Sequence, residues 1–334
     1  MALPRVMVFS LGGTISSTDS GGKGVEPTVT GETLVSDVPE IAEVAEVSAV
    51  SFRQVASGEL TVDDLVELAS EITARIDEGA SGAVVTQGTD TIEETTFVLD
   101  LLVDREAPVV VTGAMRNPTL PGADGPANLL ASIHVAASEV ARGLGAVVVL
   151  NDEIHAARFV RRTHTSNPAT FRSDPVGPVG WISENVPRVV LRPAGRHKIT
   201  LPEDAQDHPV ALHTVTLGDD GRLLSAIEQQ GYAGLVVEAM GGGHVPSIMA
   251  GALEDLAGKL PVILASRTEA GEVLHSTYGF AGSETDLLER GLIGAGPLDG
   301  LKARLFLTLL LRSGATREEI KASFDSFLDL RAPW

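Results

Sequence analysis

The fold is decided by the stretch Val6-Met7-Val8-Phe9-Ser10-Leu11-Gly12-Gly13-Thr14. Its apolar part, residues 6–11, is short and ends in two glycines, which is typical of a buried strand that leads into a tight loop. A second short apolar run, residues 83–86, ends in Gln87-Gly88-Thr89-Asp90. In both places a threonine directly follows a glycine at the end of a predicted strand, so two hydroxyl groups are expected at strand ends.

Predicted helices alternate with predicted strands around these two runs. Thr61 with Asp64 indicates a helix start, and apolar residues continue from there at helical spacing. The alternation predicts a parallel sheet with helices on both faces, and such sheets bind ligands at the carboxyl ends of their strands. The predicted strands of the first half cover residues 6–11, 83–86, 108–112 and 146–150, and the predicted helices cover 61–76, 93–103 and 126–140.

The second half of the chain repeats the alternation after a proline-rich stretch over residues 174–209, which is predicted as extended structure and then a linker. We therefore predict an α/β protein with a large parallel-sheet domain over residues 1–195, a linker over 196–210 and a smaller α/β domain over 211–334. Thr316 with Glu319 indicates the start of a last helix. The other elements predicted here are strands over 210–215, 235–237 and 262–265, and helices over 223–229, 247–256 and 301–311.

Composition excludes several classes of function. The 334 residues carry a formal net charge of −20, which repels nucleic-acid phosphates and anionic lipids, so neither nucleic acid nor a membrane is expected as a partner. The absence of cysteine excludes disulfides, thiolate catalysis and cysteine metal sites. The N-terminal residues lack the pattern of a secretory signal, and no apolar stretch reaches the about 18 residues of a membrane span. We therefore expect a cytoplasmic protein.

The two glycine-containing segments leave alternatives open when they are judged on spacing alone. The first, at Gly12-Gly13, is compatible with a nucleotide loop or a structural turn, although the G-x-G-x-x-G spacing of a dinucleotide-binding oxidoreductase is absent. In the second, Asp90 or Thr91 could cap the helix that follows. Capping does not explain why Thr89 and Asp90 stand together after a glycine, where a hydroxyl and a carboxylate could hold an amino group or prepare a water.

Together the two segments resemble the two signatures of the bacterial-type L-asparaginase family, and further matches extend along almost the whole chain. The resemblance implies a flavodoxin-like N-terminal domain, a smaller C-terminal α/β domain, and a homo-oligomer, usually a homotetramer, that needs no metal or cofactor. It also implies hydrolysis of a small amino-acid amide. The further matches are Gly113-Ala114-Met115-Arg116, Asp124-Gly125-Pro126-Ala127-Asn128-Leu129, Asn151-Asp152, Ala169-Thr170-Phe171-Arg172-Ser173 and Lys302-Ala303-Arg304.

The resemblance also implies roles for individual residues. Thr14 matches the threonine that attacks the amide carbon and forms an acyl-enzyme ester, and such a hydroxyl needs a neighbour to take its proton. Thr89 and Asp90 would lie beside the substrate, with Asp90 pairing with its ammonium group, and Arg162 stands at the position of the catalytic lysine. Substrate-binding roles are implied for Ser57 with its neighbour Gly58, for the carbonyl of Ala114, and for His244 and Glu284, the last supplied by a neighbouring subunit. By spacing alone, Ser57 could cap a helix and Glu284 is typical of a solvated loop carboxylate.

Four features depart from the family pattern. One is His244, which stands where many relatives place an asparagine contributed by the partner subunit, and which could neighbour the substrate or be a satisfied loop histidine. No tyrosine occurs in residues 16–30, and the chain has two tyrosines, of which Tyr278 could reach a site across an interface or only pack. Arg162 keeps the positive charge of the lysine but does not give up a proton. Gln87 stands where a histidine often precedes Gly-Thr-Asp.

We therefore predict an L-asparaginase that releases L-aspartate and ammonia from L-asparagine. The alternatives are a family member with weak or no turnover that binds Asn or Asp, and one that acts on Gln or a D-amino-acid amide. An amidotransferase subunit that acts on charged tRNA is disfavoured by the acidic surface.

Overall fold

The structure is a computed structural model that describes residues 2–13, 15, 17–19, 25–27, 30–268 and 270–327. The chain divides into two compact units, Met1–Lys198 and Ile199–Trp334. Within the described ranges, no helix is long and apolar enough to cross a membrane.

The first unit is built on an eight-stranded sheet. Its strands are β1 (Arg5–Gly12), β4 (Glu46–Val55), β5 (Gly82–Thr86), β6 (Val109–Thr112), β7 (Ala146–Leu150), β8 (Glu153–Ala156), β11 (Gly180–Ser183) and β12 (Val186–Val189). They lie in the order β12-β11-β8-β7-β6-β5-β1-β4. The five strands from β7 to β4 pair in parallel, and β8, β11 and β12 are antiparallel additions. Two short hairpins are formed by β2 (Ser17–Asp19) with β3 (Val25–Pro27) and by β9 (Arg161–Arg162) with β10 (Phe171–Arg172).

Helices cover the sheet of the first unit. Every residue of β5, β6 and β7 is buried, because continuous apolar runs suit strands that are covered on both faces. Val84, Val110 and Val147 pack with α5, and Thr61 and Asp64 form the expected capping box at the start of α3. The helices are α1 (Gly31–Ser36), α2 (Ile41–Val44), α3 (Val62–Asp77), α4 (Ile92–Leu102) and α5 (Gly125–Ala136).

The proline-rich stretch contains a hairpin that extends the sheet. Glu184 and Asn185 connect β11 to β12 with φ angles of 50° and 61°, the left-handed turn that matches the twist of a hairpin. Pro187 is tolerated because β12 lies at the edge of the sheet, where a strand needs hydrogen bonds on one side only.

The second unit has its own parallel sheet, in the order β13-β14-β15-β16, formed by β13 (Val210–Thr214), β14 (Gly234–Ala239), β15 (Val262–Ser266) and β16 (Ile293–Gly294). The predicted capping box at Thr316 and Glu319 is confirmed. The prediction of a large parallel-sheet domain and a smaller α/β domain is thus confirmed. The helices are α6 (Leu224–Gln229), α7 (Ser247–Ala257), α8 (Glu284–Glu289), α9 (Gly300–Arg312) and α10 (Arg317–Asp325).

Lys198 caps carbonyl groups at the carboxyl end of α4. It should make the free energy of unfolding depend on pH in the alkaline range. Its ammonium group donates to the carbonyl oxygens of Asp100 at 2.6 Å and Val103 at 2.8 Å. Burial lowers the pKa of Lys198 from 10.5 to about 8, against the attraction of Asp100. Between these two pH values the unfolded chain binds more protons at this residue than the folded chain, so stability rises with pH.

We therefore expect the free energy of unfolding of the wild type to rise by up to about 3 kcal/mol relative to Lys198→Arg between pH 7.5 and 10.5. Arginine is the matched control because it keeps its charge throughout this range. Urea unfolding of both proteins at several pH values gives the difference directly. A difference that does not change with pH would contradict the assignment.

Candidate functional site

The carboxyl ends of the central strands meet at one point of the sheet edge. β1 ends at Gly12, and the backbone of Gly13, with φ +83°, passes so close that a Cβ on it would lie 2.0 Å from the backbone nitrogen of Gly88. Directly after β6, a Cβ on Gly113 would lie 2.6 Å from the carbonyl oxygen of Gln87. Only glycine permits such close approach. The loops after β1, β5 and β6 therefore contact one another directly through their main chains. Thr14 itself lies outside the described residues.

Ser57 and Asp90 face each other across two of these loops. Ser57 follows β4 as the first residue of a short 3-10 helix, Ser57–Glu59, and is buried. Its hydroxyl donates to Asp90 Oδ2 at 3.5 Å. A Cβ on Gly88 would lie 2.7 Å from Ser57 Oγ, so the loop after β5 packs directly on this hydroxyl. Gly58 is exposed, and a Cβ on it would meet no atom within 4 Å.

Arg162 supplies the positive charge beside Asp90. Its guanidinium group forms an ion pair and hydrogen bond with Asp90 Oδ1. The same guanidinium donates to the carbonyl oxygens of His164 at 3.2 Å and Thr165 at 2.7 Å, both in the β9–β10 hairpin. The backbone N–H of Arg162 donates to Glu93 Oε2 at 3.1 Å. The hairpin therefore fixes the direction of the guanidinium group, which acts as a static cation toward Asp90.

Thr91 stands at the N-cap position of α4, as the sequence allowed, but its side chain makes no capping bond there, and Asp90 is not the cap. α4 begins at Ile92 without a capping bond from a side chain. Asp90 instead faces Arg162 and Ser57, and Thr91 Oγ1 donates to the carbonyl oxygen of Ser57 at 3.2 Å. Local spacing predicts a cap, but partners that are distant in sequence take both side chains.

Thr89 and Ala114 are buried where these loops meet. The methyl group of Thr89 lies against Gly113, 3.2 Å from the position a Cβ would take there. The loop that carries Ala114 is held by Asp124, which accepts the backbone N–H groups of Met115 at 3.0 Å and Arg116 at 2.8 Å. The carbonyl group of Ala114 is thus part of a loop that is fixed on both sides.

In the second unit, Glu284 is fully buried, so its interpretation as a solvated loop carboxylate is wrong. Burial raises the pKa of Glu284, but the N–H groups of Tyr278 at 2.7 Å and Thr277 at 2.9 Å and the imidazole of His244 at 3.2 Å bring it below its usual value. The His244 ring also packs edge-on against Tyr278 and Phe280, with centroid distances of 4.8 and 5.1 Å. An ionised carboxylate is therefore held beneath an exposed aromatic group.

Both halves of the chain match known protein families. A family model described as "Asparaginase, N-terminal" matches residues 5–194, and a second, "Glutaminase/Asparaginase C-terminal domain", matches residues 209–324. The chain belongs to the asparaginase family. The family resemblance of the sequence is thereby confirmed. The departures at Arg162 and Gln87, and the absence of tyrosine from residues 16–30, are accordingly features of an asparaginase-family chain.

Individual asparaginases align with almost the full chain. An L-asparaginase of Bacillus licheniformis is 34% identical over 327 residues, which cover 96% of this chain and 98% of the relative. A probable periplasmic L-asparaginase of Haemophilus influenzae is 32% identical, with 97% and 93% of the two chains covered. The crystal structure of a probable cytoplasmic L-asparaginase from Campylobacter jejuni is 29% identical, with a TM-score of 0.88 over 96% of this chain and 99% of the other.

The sequence does not indicate the contacts of two polar residues near this site, Gln87 and Glu93. Gln87 is fully buried and donates to Thr91, and Glu93 accepts the backbone N–H of Arg162. Gln87 directly precedes the Gly-Thr-Asp stretch and Glu93 follows Asp90 by three residues, so only the contacts show what each side chain does. No group of His, Asp or Glu side chains among the described residues could hold a metal ion.

Proposed function

We propose that this chain is an L-asparaginase that hydrolyses L-asparagine to L-aspartate and ammonia through an acyl-enzyme ester on Thr14. The observation that carries the proposal is the meeting of Ser57 and Arg162 on Asp90, beside the Gly12-Gly13 segment that leads to Thr14. The family match over both domains supports the same reaction.

Each polar residue of the site binds a different group of the substrate. The Asp90 carboxylate pairs with the α-ammonium group, and the Ser57 hydroxyl turns from Asp90 to the α-carboxylate. The 3.5 Å bond between Ser57 and Asp90 is long, so little is lost when the substrate replaces it. Arg162 lies on the other oxygen of Asp90 and holds this carboxylate in its orientation. The Ala114 carbonyl accepts from the side-chain amide.

The chemistry then needs a nucleophile and a site for negative charge. The Thr14 hydroxyl attacks the amide carbon, its proton passes to the departing nitrogen, and ammonia leaves an ester on Thr14. Backbone N–H groups beside Thr14 and Thr89 stabilise the oxyanion without reorganising. A water held by Thr89 then adds to the ester, releases aspartate and returns a proton to Thr14. Arg162 acts only as a cation, because guanidinium does not exchange protons in proteins.

We propose the family's assembly and a cytoplasmic location for this protein as well. The active form is a homo-oligomer, a dimer or a tetramer, in which Glu284 and His244 of one protomer complete the site of its neighbour. The protein acts in the cytoplasm, in agreement with the description of the Campylobacter jejuni relative.

Trapping the ester tests the proposal. The purified protein is incubated with L-asparagine or a slow amide substrate, quenched in acid and analysed by peptide mass spectrometry, while ammonia is measured in parallel. We expect ammonia from L-asparagine and an aspartyl adduct on the peptide that contains Thr14. Absence of ammonia from Asn, Gln and their D-forms, together with an unmodified peptide, would refute it.

A further inference from the structure

Gln87 lies at the base of the site, where its side chain contacts Gly88 and Thr91. It follows the last residue of β5 and its side chain is fully buried. The amide nitrogen donates to the carbonyl oxygen of Gly88 at 3.2 Å and to Thr91 Oγ1 at 3.1 Å. The amide oxygen is buried and has no hydrogen-bond partner among the described residues. The orientation of this side chain is therefore set by the two bonds of its nitrogen.

Thr91 links the side chain of Gln87 to the backbone of Ser57 by hydrogen bonds. A threonine hydroxyl has one proton, and because Thr91 Oγ1 accepts from Gln87, it can give that proton to the carbonyl oxygen of Ser57 at 3.2 Å. The hydrogen bonds from Gln87 to Thr91 and from Thr91 to Ser57 form a relay. It runs in one direction, from an amide donor to a backbone acceptor. It joins the loop after β5 to the loop after β4.

The relay holds the Ser57 backbone and does not use the Ser57 hydroxyl. The carbonyl of Ser57 is fixed by Thr91, whereas the hydroxyl makes, within the described part of the chain, a single long hydrogen bond of 3.5 Å to Asp90. A side chain that can rotate on a fixed backbone is suited to meet a ligand group at one defined place. In the proposed function that group is the α-carboxylate of the substrate.

We propose that Gln87, acting through Thr91, is a positioning residue that fixes Ser57 and thereby sets the preference of the site for substrates with a free α-carboxylate. The inference rests on the proposed function. It goes beyond it by assigning the recognition of the carboxylate to a buried glutamine that does not touch the substrate. Loss of the relay should weaken the binding of ligands that carry this carboxylate and leave the chemical step intact.

The test compares threonine-to-valine changes at two sites of the same segment, Thr91, which is half-buried, and Thr95, which is buried. Thr91→Val removes the relay, Thr91→Ser keeps the hydroxyl, and Thr95→Val is the matched control because the Thr95 hydroxyl is buried and has no partner among the described residues. Calorimetry gives the Kd of L-aspartate for each variant. Steady-state kinetics gives KM and kcat for L-asparagine and for its α-amide, which lacks the carboxylate.

We expect Thr91→Val to raise the Kd of L-aspartate and the KM of L-asparagine by about tenfold, the usual effect of one lost hydrogen bond, with little change in kcat. The KM of the α-amide should stay the same, and Thr91→Ser and Thr95→Val should resemble the wild type. Gln87→Met should have the effect of Thr91→Val, and the double variant should be no worse than either single variant, because both changes break one relay.

An equal loss in Thr91→Val and Thr95→Val, or an equal rise in KM for L-asparagine and its α-amide, would overturn the inference. Unchanged aspartate binding in Thr91→Val would overturn it as well. The calorimetric arm does not require turnover, so a wild type that binds aspartate but releases no ammonia would refute the proposed function while the relay is still tested.

Discussion

Thr14→Val should lower kcat for L-asparagine by about 10⁴-fold or more, while L-aspartate still binds. Removal of a nucleophile costs nearly the whole covalent contribution to the rate, and what remains comes from binding and from the oxyanion donors. Valine has the shape of threonine, so the loss reports on the hydroxyl. Ammonia release over hours measures the remaining rate, and calorimetry with aspartate shows whether the site is intact.

Thr95→Val serves here as the control for the same chemical change at a buried position, and it should keep wild-type kcat. A Thr14→Val enzyme that retains more than a hundredth of the activity would mean that another hydroxyl attacks. Thr89→Val would then be the next variant, since Thr89 is buried where the loops meet.

Arg162→Lys should raise kcat by about 10²-fold, the lower end of what general acid–base catalysis contributes. Arginine holds Asp90 and two carbonyl groups but keeps its proton, whereas a lysine beside Asp90 can take a proton and return it. The rate of the lysine enzyme should therefore increase with pH as the ammonium group loses its proton. The wild type should lack this dependence on residue 162. Steady-state rates across pH 6–10 for both enzymes measure the effect.

Arg162→Gln distinguishes a gain in rate due to proton transfer from a gain due to removal of the guanidinium charge. Glutamine can donate to Asp90 but cannot take up a proton, so this variant should not gain activity. If Arg162→Gln and Arg162→Lys were accelerated equally, relief of the Asp90 ion pair would be the cause, and the role assigned to proton transfer at this position would be wrong.

Buried strands were the most predictable part of the fold, because a run such as β6 consists of three valines and one threonine between a proline and a glycine. Elements without such a pattern were missed. The strand β16, for example, has two residues, too few for a period to be visible. The helix predicted to reach residue 140 ends at Ala136, because Ser138 takes an extended conformation before a separate 3-10 helix.

The positions of the site residues along the chain were predictable in part, whereas their partners were not. Asp90 is bonded to Ser57 and Arg162, which lie 33 and 72 residues away in sequence, so no local spacing indicates either contact. Glu284 has the local pattern of a surface loop, yet it is buried, and its carboxylate accepts the backbone N–H groups of Thr277 and Tyr278. Contacts of this kind are set by the packing of whole loops.

The close approach of Gly13 and Gly113 to residues 87 and 88 also limits how the enzyme can change during evolution or engineering. Any side chain at either glycine would force neighbouring main chain apart, so this contact between backbones cannot be varied one residue at a time. Altered amide preference is therefore expected to arise at positions around the site that already carry side chains, and lineages with new substrates should retain both glycines unchanged.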